Sequence, residues 1–353
     1  MQNQLKCLKV LLLLMTVSCS QEQKDYLDFP VKEIELPKVS KTLSPGQTLL
    51  RDSPEYEDFV VDENHVVGIL SPARVNQEFL AAEDLSNGDY LGAFFRRGRG
   101  PEEMLNPVFS LDYYKGHLYL FDIVLSRFYD LDIKQSLTES RSVFMNRWDI
   151  KKEGQIRAFL SAHYIDKERM IAYDFAANPR ANELYRIPYY VIYDLKTGEK
   201  IEEIECFKDV PLEEKKHVDP KSRLGLVDCL DADRRFLYFG MMSMPVVGRI
   251  DLNTRDVKGV WINKEKDSDK SITFQSVSAR GGKVYALYNN GEQAVDGEVQ
   301  SSLAVLSKDL LRMKVYSLDD IYRRCFAGED GLYLLRADYA GESSICLIPW
   351  EEL

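Results

Sequence analysis

Three arginines, two glycines and two prolines fall within one short stretch, FFRRGRGPEEMLNP (Phe94–Pro107). Gly98 and Gly100 can take positive φ, and Pro101 fixes the exit from the turn. Arg96, Arg97 and Arg99 are then available to an anion such as a carboxylate or sulfate. The same residues also make an ordinary chain reversal, with the arginines pairing Glu102, Glu103 or a neighbouring element. Which reading applies depends on where the loop sits.

Other chemistry has little to draw on. The four histidines, His65, His117, His163 and His217, form no spaced ligand motif. A metal site needs several His, Asp, Glu or Asn ligands converging from separate elements. The chain holds no G-x-S-x-G elbow, Walker loop, H-E-x-x-H pair or C-x-x-C pair. No cofactor is predicted, and a calcium site of carboxylates and carbonyls stays open.

The elements that must position these residues are legible. The chain of 353 residues has 20 Tyr and 16 Phe against 3 Trp, a composition that leans towards sheet. Six apolar runs resemble one another: HVVGIL from His65, HLYLFD from His117, RMIAYD from Arg169, RFLYFG from Arg235, KVYALY from Lys283 and GLYLLR from Gly331. Their spacings are 52, 52, 66, 48 and 48 residues, a period typical of propellers and solenoids. A shorter segment and a tight turn precede each run, and further strand-like segments such as SRFYDLDI, VVGRIDLNTRD and KIEEIECF follow. Four antiparallel strands repeated six times predict an all-β, six-bladed β-propeller. The sixth blade ends at SSICLIP without an outermost strand. The alternating segment Val31–Val39 is expected to supply it and close the ring from the N-terminal end. The longest spacing assigns Phe207–Gly225 to a charged surface loop, where added length costs little.

On these six runs and on GRGPEEMLNP (Gly98–Pro107), residues 27–353 resemble the six-bladed β-propeller lipoproteins of the TolB-like and NHL-like group. The decapeptide is similar to that group's G-x-G-P-G-E-F-x-x-P turn, with Glu102 in place of Gly and Met104 in place of Phe. The resemblance implies ligand contacts on the face carrying the blade-to-blade loops. It also admits a lactonase-like or lyase activity with a metal in the channel.

The N-terminus reads as an export signal. Lys6 and Lys9 precede the apolar run VLLLLMTV (Val10–Val17), too short to span a bilayer. Cys19 follows small residues in a stretch that resembles a lipobox, which predicts a signal at residues 1–18, lipidation of Cys19, and a polar tether at 19–26. Ser20 is not the Asp that retains many lipoproteins at the inner membrane, so the expected site is the outer membrane, periplasmic or surface-exposed. The acidic tether resembles those of surface-exported Bacteroidetes lipoproteins. Loss of the signal leaves 44 basic against 57 acidic residues. That balance argues against a nucleic-acid partner. The membrane contact expected is the lipid alone.

The repeat also predicts a level of side chains near the ring axis. Phe59, Phe109, His163, Asp228, Ser276 and Arg324 occupy equivalent innermost positions if register holds. They would recognise a small polar ligand or form a plugged, self-satisfied channel. Cys206, Cys229, Cys325 and Cys346 fall on expected strands. Cys325 and Cys346 stand two strands apart, roughly 9.6 Å, too far for a disulfide, so buried thiols are expected.

Three functions follow as expectations. The first is a non-catalytic binding or scaffold module for a peptide, protein or glycan at the loop face. The second is a metal-dependent hydrolase or lyase in the channel. The third is a structural platform, which would present a large apolar patch.

Overall fold

The computed structural model describes residues 27–45, 47–71, 78–100, 102–108, 110–151, 159–174, 189–208, 224–263, 272–289, 300–337 and 343–353. They form six mostly antiparallel sheets of four or five strands, the blades of a propeller. The repeated runs are the second strands: His65–Leu70, His117–Asp122, Arg169–Asp174, Phe236–Met241, Lys283–Asn289 and Gly331–Ala337. Their middles are buried on both faces because each blade stands between two others.

The innermost strands are Tyr56–Asp62, Asp112–Tyr114, Phe159–Asp166, Leu226–Leu230, Thr273–Arg280 and Tyr322–Ala327, in blades 1 to 6. They all begin at one face of the ring, here the loop face. Blade-to-blade connections and those between second and third strands lie there. The opposite turn face carries the tight reversals. Lys115 and Gly116, with φ of 53° and 82°, make the two-residue turn of blade 2, a geometry matched to strand twist. One short helix, α1 (Ile133–Glu139), joins the third and fourth strands of blade 2, capped by Asp132, which accepts from Gln135 N at 2.8 Å.

Buried apolar side chains divide into six clusters, one for each seam between adjacent blades. Blades 3 and 4, for example, meet through Ile171, Tyr173, Tyr190, Leu237 and Phe239. The core is therefore a ring of six walls around an axial channel. Burial of this kind contributes about 25 cal/mol per Å2 of apolar surface.

The ring closes from the N-terminal end, as expected, but through a different segment. Strand β3 (Gln47–Ser53) completes blade 6 by pairing antiparallel with Ser343–Pro349. The segment expected to do so instead forms two outer strands. β1 (Val31–Glu35) adds parallel to Val257–Asn263 of blade 4, and β2 (Val39–Leu43) adds parallel to Met313–Leu318 of blade 5. Upstream, Leu27 bridges antiparallel to Phe207 at the edge of blade 3. The N-terminal chain is thus a strap around half of the ring, from the edge of blade 3 past those of blades 4 and 5 to its closing place in blade 6. Alternation alone marked Val31–Val39 as strand but could not name its partner.

Of the expected surface loop, residues 209–223 lie outside the described residues, as do Cys19, the signal and the tether. Cys206, Cys229, Cys325 and Cys346 are free thiols. Burial pushes the Cys325 thiol up to about 12, although Ser276 and Arg324 oppose the shift. Among the described residues no helix is long and apolar enough to cross a membrane.

Candidate functional site

A cavity of about 1010 Å3 follows the ring axis, from Asn106, Leu160 and Met242 at the loop face to Lys115, Ala232 and Glu329 at the turn face. Its walls follow from blade geometry. Side chains leave a strand perpendicular to the sheet, and each sheet stands radially, so innermost side chains point towards neighbouring blades. The expected axial level is accordingly resolved into contacts at seams.

The seam between blades 3 and 4 holds the densest set. His163 Nε2 is 2.9 Å from Asp228 Oδ1, and both side chains are 2% exposed. Asp228 Oδ2 accepts from Ser161 Oγ at 2.6 Å and from the Tyr190 hydroxyl at 2.8 Å. On its other side His163 Nδ1 lies 3.6 Å from Asp112 Oδ1, an ion-pair distance too long for a hydrogen bond. Asp112 accepts from Tyr164 N at 2.8 Å and from Arg234 Nη1 at 2.6 Å. Arg234 also donates to Tyr113 O at 2.5 Å, and its guanidinium lies 4.5 Å from the centre of the Tyr114 ring. It reaches these groups from the Asp231–Arg235 turn of blade 4, past blade 3 to blade 2.

Two cations and two anions therefore alternate in one buried line. Burial alone would push His163 down, but Asp228 and Asp112 together outweigh it and raise the imidazole to about 10. Burial would likewise raise Asp112, yet Arg234 and His163 hold its carboxyl below the usual range. The line is electrically balanced, the condition under which buried ions are tolerated.

Across the ring, Arg324 donates from Nε to Glu57 O at 2.9 Å and from Nη1 to Gln275 O at 2.5 Å. Its Nε is 3.7 Å from Asp58 Oδ1. Asp58 accepts from Leu111 N at 2.8 Å and Phe59 N at 3.0 Å. Burial nevertheless prevails over Arg324 and these N–H groups and lifts the Asp58 carboxyl above its ordinary range. Phe59 packs on Phe326, ring centres 6.3 Å apart, at the seam of blades 6 and 1. Ser276 Oγ accepts from Cys325 N at 3.1 Å at the seam of blades 5 and 6. Phe109 lies outside the described residues.

Of the expected level, then, His163 and Asp228 meet directly, whereas Phe59 and Ser276 serve seams. Asp58 and Asp112 were missed. The expected level placed Phe109 in blade 2, but the blade 2 turn falls at Lys115–Gly116. That register places Asp112 opposite Tyr119, as His163 stands opposite Ile171, each the third residue of a second strand. Correct placement of the blade 2 turn would have exposed the signal.

The arginine-rich loop lies at the loop face but on the outer rim of blade 1. Gly100 N donates to Glu103 Oε2 at 2.5 Å, and Gly98 N donates to Met104 O at 2.8 Å. A Cβ on Gly98 would collide with the Glu103 carboxylate. Glu102 pairs with Arg141 at 3.1 Å. Arg96, Arg97 and Arg99 are exposed, make no ion pair among the described residues, and do not line the axial cavity. Neither glycine takes the expected positive φ; both are accounted for by the Glu103 side chain, which lies where a Cβ would stand. No group of three or more His, Cys, Asp or Glu side chains is arranged to hold a metal ion among the described residues.

No protein-family model matches the chain, and no curated protein matches it. Solved structures share its fold. A member of the DUF4221 family from Bacteroides vulgatus superposes with a TM-score of 0.57 at 10% identity, over 92% of this chain and 99% of the other. A candidate exported protein from Bacteroides fragilis superposes with a TM-score of 0.50 at 10% identity, over 91% and 93% of the two chains.

Proposed function

We propose that the protein is an outer-membrane lipoprotein whose propeller is a non-catalytic binding module for a peptide, protein or glycan segment received at the loop face. One observation carries this reading. The axial cavity opens at the loop face beside Leu160 and Met242, which are 39% and 47% exposed, while the ionisable groups deeper in its wall are held in fixed pairs. A wall ordered before the ligand arrives lowers the cost of binding. Apolar side chains at the mouth and polar backbone edges along the channel suit a segment with both kinds of surface.

The envelope setting is supported by the export signal and by Cys19 directly after it. The candidate exported protein from Bacteroides fragilis, which shares the fold, accords with it. Kinship with the TolB-like and NHL-like lipoproteins is supported by the Gly98–Pro107 turn and the six repeated runs.

The test is equilibrium binding of the mature protein to peptide and glycan arrays, repeated with Leu160→Asp and Met242→Asp. Saturable binding that both substitutions weaken at unchanged Tm is the expected result. Binding indifferent to both, or turnover of lactone substrates in the presence of calcium or zinc, would overturn the reading.

A further inference from the structure

We propose that the loop face, with the cavity mouth, is turned towards the bilayer to which the protein is anchored. This orientation rests on the lipid-anchor reading and extends it. Two described features fix where the tether departs. Leu27 is 3% exposed and bridges antiparallel to Phe207, and Asp28 N donates to Cys206 O at 3.0 Å. Phe207 follows Lys200–Glu205, the outermost strand of blade 3, whose Glu205 end lies at the loop face, level with Tyr189 and Phe159. The antiparallel bridge sets the chain running from the loop face towards the turn face as it leaves Leu27, so the tether joins the ring at the loop face.

Length decides the rest. Cys19–Tyr26 is eight residues, with a reach of at most about 28 Å when fully extended. The longest strands have eight residues, so the ring stands about 25 Å tall at 3.3 Å per residue. For the turn face to meet the membrane, the tether would have to run back down the outside of the ring, which uses almost its entire reach. With the loop face towards the membrane, the whole reach is available as standoff. That standoff leaves a gap between the face and the bilayer. Any ligand of the mouth arrives through that gap.

The experiment uses the full-length lipidated protein in liposomes carrying a headgroup energy acceptor. Donor dyes are placed through Val124→Cys at the loop face and Leu311→Cys at the turn face, residues 42% and 48% exposed. The unsubstituted protein, with its free thiols, sets the background. Transfer from position 124 at least about twofold greater than from 311 is expected for positions separated by roughly the ring height. Equal transfer, or more from 311, overturns the orientation while leaving the anchor intact. Failure of the unsubstituted protein to float with liposomes overturns the anchor and the orientation with it.

Discussion

His163 and Asp228, from blades 3 and 4, face one another at 2.9 Å with their side chains almost wholly removed from solvent. Neither residue's own strand calls for a charge at that point; the pair exists because two sheets meet there.

Removing both members should therefore cost less than the two single removals added together. Asp228→Ala leaves the imidazolium, Ser161 and Tyr190 without their acceptor, and a loss of about 3–5 kcal/mol is expected. The double replacement His163→Leu with Asp228→Leu should cost clearly less than the sum of the single changes. Urea unfolding of the single and double variants measures this. An additive result would mean the two groups do not act as a pair.

The same pair sets a pH dependence. The folded His163 value of about 10 lies above the ordinary 6.5, so folding favours its protonated form. Its contribution is complete below about 6.5 and is lost as pH rises through about 10. Asp112 is displaced downwards, so its contribution is present above the ordinary aspartate range and fades as pH falls. Tm measured across neutral and alkaline pH should drop more steeply for the native protein than for His163→Gln. Parallel profiles would remove His163 as the cause.

The three rim arginines should be dispensable for folding. Replacing Arg96, Arg97 and Arg99 together by Ala should move stability by no more than about 0.5 kcal/mol per site, because exposed unpaired side chains contribute little. Isothermal titration with sulfate and with a dicarboxylate, native against triple variant, separates turn from anion contact. Binding by the native protein alone would restore the anion reading.

The strap should be separable into two roles. Deleting residues up to 45 uncovers the outer edges of blades 4 and 5 but leaves β3 in blade 6, so a cooperative, less stable ring is expected. Deleting up to 53 removes the closing strand, and loss of cooperative unfolding is expected. Calorimetry of both truncations distinguishes them. Equal behaviour would mean that closure by β3 is not what holds the ring.

Cys19→Ala should release the protein from the membrane fraction and abolish labelling with a radioactive fatty acid. Retention with unchanged labelling would exclude the predicted anchor.

The fold was largely legible because its signal is repeated. Each second strand is buried on both faces, so HLYLFD and its counterparts stay apolar irrespective of register. The site was less legible because it depends on register and on reach. Phe109 reads as the axial position of blade 2 until the pairing of Tyr113 with Leu118 fixes the turn at Lys115–Gly116 and moves that position to Asp112. Arg234 lies 122 residues from Asp112, and no local pattern announces a side chain that crosses from one blade to another past a third. Only the closing segment was misassigned, for a related reason. Val31–Val39 has the alternation of a strand, but alternation does not choose between an antiparallel place in blade 6 and a parallel place beside blades 4 and 5.

The strap also bears on how the chain is made. Val31 pairs with Gly259, Val39 with Val315, and Leu50 with Ile345. The first strands synthesised must therefore wait for almost the last. Such long separations carry a loop-closure cost and slow folding. While the C-terminal blade is still on the ribosome, β3 has no partner and the ring cannot close. Closure of the ring is therefore a late event, set by the last blade to be made.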